Sequence, residues 1–248
     1  MYKNMKAENT NLLVVGAPRS GTTLLAAMIG RHSEVAMLSE HFGSAVKDVI
    51  SKPIVGNKLC IPNQIEINAK RSRWVNLLPP RLFHLLHRYE YFQYRPEGQV
   101  SIIDYIQWGP LKIVGIVRDG NAVISSITER GGQSLDVAIY RWRRSIDILT
   151  ELSDQLGDDF FLISFDQLVT QSENTMKAIA AFLSISFESE MLEGYAYTPN
   201  YSNQKIDSSK AKEKKIDMDL IQEYPDTFSK FTSLVSRSNA NLAKRFDA

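Results

Sequence analysis

The chain has 248 residues, 44% of them apolar and 23% charged, which excludes a disordered chain and bounds it at one large domain or two small ones. Lysine and arginine total 29 against 28 aspartate and glutamate, so at a net charge of +1 no overall field draws the protein onto nucleic acid or an anionic membrane. A single cysteine, Cys60, excludes an intrachain disulfide framework and a four-cysteine zinc site, and fits a reducing compartment.

The polar start MYKNMKAENTN leads into an apolar run of four residues, Leu12 to Val15, too short for a signal peptide or a membrane span. A soluble, cytoplasmic protein without membrane insertion is therefore expected. Leu12 to Val15 reads as a buried parallel strand, broken by GAPRSG. From Thr22, the spacing of Leu24, Leu25, Met28 and Ile29 predicts a helix ending near Gly30. Val35 to Leu38 predicts a second strand ending at Ser39-Glu40, and 53–60 a third. Residues 64–100 carry six basic against three acidic side chains with interleaved aromatics, and read as a mostly helical insertion within a single domain spanning 1–248. Ile113 to Val117 is a buried strand, followed by Arg118-Asp119-Gly120 and a helix to about Glu129. Helices over 135–153 and 171–183 flank a strand over 160–165; a lysine-rich loop over 205–215 and closing helices complete the chain. Alternating strands and helices predict an α/β fold, a parallel sheet flanked by helices.

Between the first strand and helix lies Gly16-Ala17-Pro18-Arg19-Ser20-Gly21-Thr22-Thr23, a GxxxxG-T-T spacing. It is a P-loop pattern with Thr22 at the usual lysine position. Glycines let backbone N–H groups turn inward, and the helix N-terminus adds partial positive charge. Arg19 supplies a cation, and Ser20, Thr22 and Thr23 supply hydroxyl donors. An ordinary glycine turn with a threonine cap is the alternative. A second anion site is predicted where Arg118 follows a strand, at the sheet edge where open α/β sheets bind ligands. Ser126 and Arg130, four residues apart, share a helix face with which Arg118 can converge. A structural ion pair of Arg118 with Asp119 is the alternative.

PRSGTT after a strand, then IVRDG with a serine eight residues beyond the arginine, resembles the PAPS-dependent sulfotransferases, which use 3′-phosphoadenosine 5′-phosphosulfate. The likeness is greatest to the bacterial and tyrosylprotein branches and runs from Leu12 to about Asp217, apart from 64–100. It implies a P-loop-NTPase-like sulfotransferase fold. The first loop would hold the 5′-phosphosulfate through Arg19, Ser20, Gly21, Thr22 and Thr23. Arg118, Ser126 and Arg130 would hold the 3′-phosphate. Phe165-Asp166-Gln167-Leu168-Val169 resembles a segment whose tyrosine contacts the nucleotide, with Phe165 in place of that tyrosine. Ile206 to Lys210 resembles a loop closing over the nucleotide, which implies a role for Ser209.

Sulfuryl transfer needs a base for the acceptor proton and cations for charge on the departing phosphate. Glu40-His41-Phe42 resembles the family's strand-end glutamate motif, implying Glu40 as base, with His41 its rival. Lys58 resembles the third-strand lysine that stabilises the transition state; a surface lysine is the alternative. Arg19 is the second catalytic cation. His32, His84 and His87 show no ligand spacing, so no metal is expected. The implied reaction moves a sulfuryl group from PAPS to a small-molecule, carbohydrate or peptide acceptor and releases 3′,5′-ADP. A P-loop ATP kinase using Asp119 on Mg²⁺, and a non-catalytic nucleotide-binding protein on the same scaffold, remain the other readings.

Overall fold

The computed structural model describes residues 9–40, 51–68, 100–194 and 218–244. Among these, five parallel strands form one sheet: β1 (Thr10–Gly16), β2 (Val35–Ser39), β3 (Ile54–Cys60), β6 (Leu111–Val117) and β7 (Phe160–Ser164), in the spatial order β2-β3-β1-β6-β7. The two central partners of β1 are in register at Val14↔Lys58 and Val14↔Val114, and β2 meets β3 at Ser39↔Lys58. Two short strands, β4 (Ile65–Glu66) and β5 (Val100–Ser101), form a separate parallel pair.

Both faces of the sheet are covered, as the continuous apolar strands require. On one face, α1 (Thr22–Ile29) and α6 (Ser172–Leu183) pack over Leu12, Val14, Val114, Ile116 and Phe161. On the other, α3 (Gly120–Gly131) and α4 (Leu135–Gln155) pack over Leu13, Val15, Ile113 and Leu162, with Trp142 fully buried. The described elements are completed by α2 (Ile102–Gln107), α5 (Phe165–Thr170), α7 (Leu220–Glu223) and α8 (Pro225–Lys244).

One expectation needs correction. The strand over 160–165 stops at Ser164, because Ser164 and Gln167 form a reciprocal capping box: the Ser164 hydroxyl accepts from Gln167 N–H at 3.2 Å and the Gln167 side-chain Oε1 from Ser164 N–H at 2.9 Å. Phe165 thereby opens α5 and turns to the sheet edge. At the ends of the stretch over 64–100, Ile65 pairs with Val100 and Glu66 with Ser101, and the part expected to be helical lies outside the described residues. Glu66 is buried and takes two hydrogen bonds from Arg144 of α4, at 2.6 and 3.1 Å. Residues 69–99, with His84 and His87, lie outside the described residues, as do His41, Ser209 and the 205–215 loop.

Candidate active site

All five strands of the main sheet point their carboxyl ends the same way. In sheet order these ends carry Glu40 after β2, Lys58 and Cys60 on β3, the Gly16 loop after β1, Arg118 after β6 and Phe165 after β7. They border one open cavity of about 350 Å³.

The loop after β1 is tightly built. Gly21 has φ +100°, and a Cβ there would lie 2.5 Å from the Phe165 ring. A Cβ on Gly16 would lie 2.6 Å from Ser20 Oγ and 2.7 Å from the Ile116 carbonyl oxygen. Both glycines are thus needed where the chain turns from strand into helix. Ser20 is buried and its hydroxyl donates to the Ala17 carbonyl at 2.7 Å, so it braces the loop from within, whereas Thr22 and Thr23 border the cavity.

Arg19 is held with φ 69° and joins the two predicted anion sites. Its Nε donates to Ser126 Oγ at 3.1 Å, and its carbonyl oxygen accepts from Arg118 Nη1 at 2.9 Å. The Arg118 guanidinium also lies over the Phe165 ring, 4.0 Å from the centroid. Arg130, one turn beyond Ser126 on α3, borders the same cavity. The structure therefore brings Arg19, Arg118, Ser126 and Arg130 together, though the two anion sites predicted as separate share Arg19 between them. Asp119 caps α3, its carboxylate accepting from Ala122 N–H at 3.0 Å, where the kinase reading would have it face a metal.

At the opposite end, Lys58 is only 3% exposed, which removes the surface-lysine alternative. Its Nζ donates to Glu40 Oε1 at 2.5 Å. Glu40 takes the left-handed conformation, φ 57°, and its N–H continues the ladder to the Lys58 carbonyl at 2.9 Å. This bend turns the residue out of β2 and over the end of β3. Partial burial works to raise the Glu40 pKa, but the Lys58 hydrogen bond and charge, with a hydrogen bond from the Gln64 side chain, hold it below the ordinary carboxylate value. Burial pushes the Cys60 thiol up, and its Sγ shares a hydrogen bond of 3.8 Å with Thr22 Oγ1.

Two cavity residues escaped the sequence reading, Asn63 and Gln64. They follow Pro62 in the turn after β3, where Gln64 N–H donates to the Cys60 carbonyl at 2.8 Å. Amides in a turn look like solvated loop residues, and no spacing distinguishes these two.

Comparison with known proteins supports the resemblance. Residues 110–189 match the model of the Sulfotransferase family, a stretch holding Arg118, Ser126, Arg130 and Phe165. A Protein-tyrosine sulfotransferase of Drosophila melanogaster is 26% identical over 219 residues, covering 76% of this chain; the chain spans 41% of that relative. The sulfotransferase domain of the Synechococcus PCC 7002 olefin synthase superposes with a TM-score of 0.59 at 19% identity, covering 93% of this chain and 96% of that one. The sulfotransferase domain from the curacin biosynthetic pathway gives 0.51 at 16% identity, covering 92% and 97%. The architecture is the α/β fold of these domains.

Proposed function

We propose that this protein is a sulfotransferase that moves the sulfuryl group of PAPS to a hydroxyl or amine acceptor and releases 3′,5′-ADP. One observation carries the reading: a P-loop with its own arginine, a second cluster of Arg118, Ser126 and Arg130, and a Glu40–Lys58 pair all border one cavity. A nucleotide with phosphate groups at two positions suits those cations, and the loop's backbone N–H groups and the α1 N-terminus suit the 5′ end. The family match over 110–189 and the name of the fruit-fly relative support sulfotransfer in particular.

In the proposed reaction the acceptor oxygen attacks sulfur as the bond from sulfur to the 5′-phosphate oxygen breaks. The acceptor proton passes to Glu40, and Lys58 and Arg19 offset the charge gained by the departing phosphate. Glu40 is ionised at neutral pH like any carboxylate of ordinary pKa, and against the effect of burial Lys58 and Gln64 lower its pKa further. A carboxylate so stabilised is a weak base. Drawing Lys58 toward the departing oxygen would strengthen it at the moment the proton must move.

No metal takes part in this scheme, and the setting is cytoplasmic. The test is transfer of label from radiolabelled PAPS to a panel of phenols, sugars and tyrosine peptides in the presence of EDTA. Calorimetry with 3′,5′-ADP and 5′-AMP accompanies it. Label transfer together with a preference for 3′,5′-ADP is expected. Label transfer from ATP that stops on chelating Mg²⁺ would favour the kinase reading, and equal affinity for the two nucleotides would sink the second anion site.

A further inference from the structure

A second cavity, of about 390 Å³, lies between α1 and the edge strand β2. Thr23, Ala27 and the C-cap Gly30 line it from α1, at helical spacing, and Met37 and Ser39 line it from one face of β2. Met37 is seated where two glycines leave room. A Cβ on Gly30 would lie 2.8 Å from Met37 Cβ, and one on Gly56 would lie 2.6 Å from Met37 Cε. The thioether therefore forms an adaptable floor. At the inner end is Lys58, which stands opposite Ser39 across the β2–β3 pair. Lys58 and Thr23 also line the cavity at the strand ends, so the two cavities meet at the residue that pairs with Glu40. The two cations bordering the second cavity are both paired, Lys58 with Glu40 at 2.5 Å and Arg31 with Glu193 at 2.9 Å.

We propose that this second cavity is the acceptor subsite, and that the acceptor is a neutral alcohol or phenol with an apolar body of one or two rings. The inference rests on the sulfotransfer reading and names the substrate class for it. A volume of about 390 Å³ is that of a small-ligand site. With the acceptor's body against Ala27, Met37 and Leu38, its hydroxyl reaches the inner end beside Lys58 and Thr23. There the oxygen attacks sulfur, the bond from sulfur to the 5′-phosphate oxygen breaks, Glu40 takes the proton and 3′,5′-ADP leaves. A sugar in the same place would set several hydroxyls against those carbon side chains without partners. An anionic acceptor would find both cations already paired. A neutral apolar body meets neither cost and gains from its own burial.

The experiment compares 1-naphthol with glucose and an acidic tyrosine peptide in label transfer from PAPS. Transfer to 1-naphthol, at the lowest KM of the three, is expected. Ala27→Leu fills the cavity from a helix position that accepts leucine, and should raise the KM for 1-naphthol about tenfold. Met37→Ala deepens the cavity and should shift preference from 1-naphthol toward 4-octylphenol. Ala27 and Met37 border the second cavity and not the first, so 3′,5′-ADP affinity should stay at the wild-type value in both variants and report folding. Transfer to glucose or the peptide with none to 1-naphthol overturns the proposal. So does an unchanged KM for 1-naphthol in an Ala27→Leu protein that binds 3′,5′-ADP normally. If Ala27→Leu does not fold, an unaltered preference between the two phenols in Met37→Ala overturns it instead. If no acceptor takes label, the sulfotransfer reading fails, and fluorescence titration of 1-naphthol into the 3′,5′-ADP complex decides the cavity separately: saturable binding that Ala27→Leu weakens upholds the subsite, and no binding overturns it.

Discussion

The two ends of the cavity manage charge in opposite ways. At the β1–β6 end, three guanidinium groups, Arg19, Arg118 and Arg130, gather around loop backbone and a serine. At the β2–β3 end, a buried lysine meets Glu40, the one carboxylate among the described lining residues. Concentrated positive charge at one end suits a ligand that arrives with its own negative charge. An internally paired end suits a neutral ligand, whose proton can be taken by the carboxylate as the cation is drawn away. The lesson is that one sheet edge can carry two ends of different charge because adjacent strands deliver different side chains to it.

Glu40→Gln tests the reactive end and should have the largest effect. Turnover should fall by about 10²–10⁴, the usual contribution of a positioned base. Affinity for 3′,5′-ADP should scarcely change. Loss of nucleotide affinity as large as the loss of rate would erase the distinction between the two ends.

Arg118→Ala tests the binding end. Affinity for 3′,5′-ADP should drop about tenfold to a hundredfold, as expected for one lost charged contact, with 5′-AMP affected little. Arg19→Ala should weaken both nucleotides, because Arg19 belongs to the loop and touches the second cluster as well. Calorimetry separates the cases, and equal damage to both nucleotides by Arg118→Ala would mean that its bond to the Arg19 carbonyl dominates its role.

Gly21→Ala sharpens the comparison by loosening only the binding end. The added methyl meets the Phe165 ring in a left-handed backbone, and a loss of about 1–3 kcal/mol in urea unfolding is expected. Turnover at saturating nucleotide should be less affected than nucleotide affinity.

The smallest effect concerns pH. The folded pKa of Glu40 is depressed, so its contribution to stability is present above the unfolded value and disappears as pH falls through the folded one. The stability gap between wild type and Glu40→Gln should therefore shrink on acidification from neutral pH. It should stay below about 1 kcal/mol throughout, because the carboxylate is half-exposed. Urea midpoints measured across the acid range would show it, and a gap that grows on acidification would contradict the sign of the shift.

The binding end was legible in the sequence because it is local. Arg19 to Thr23 and Arg118 to Arg130 are short stretches in which a strand, a turn and a helix follow one another, and the period of the helix alone puts Ser126 and Arg130 on one face. The reactive end was legible only in part. Glu40 and Lys58 could be named by resemblance, but their pairing depends on Ser39 standing opposite Lys58 across a strand contact. Gln64 could not be named at all. It reaches the cavity through a turn that folds back on Cys60.

The amino-acid sequence by itself determined the parallel sheet, since the runs around Leu12, Val114 and Leu162 are apolar on both faces and can be satisfied only between two layers of helix. It also determined the tight turn from β1 into α1, because glycine at 16 and 21 is what permits it. Tertiary structure alone decided the order β2-β3-β1-β6-β7, and with it which strand ends are neighbours. That order places Lys58 beside the loop and Glu40 beyond it, buries Glu66 against Arg144, and lays Arg118 across Phe165. Such contacts join residues far apart in the chain, and their strength depends on burial and register, which exist only once the strands are paired.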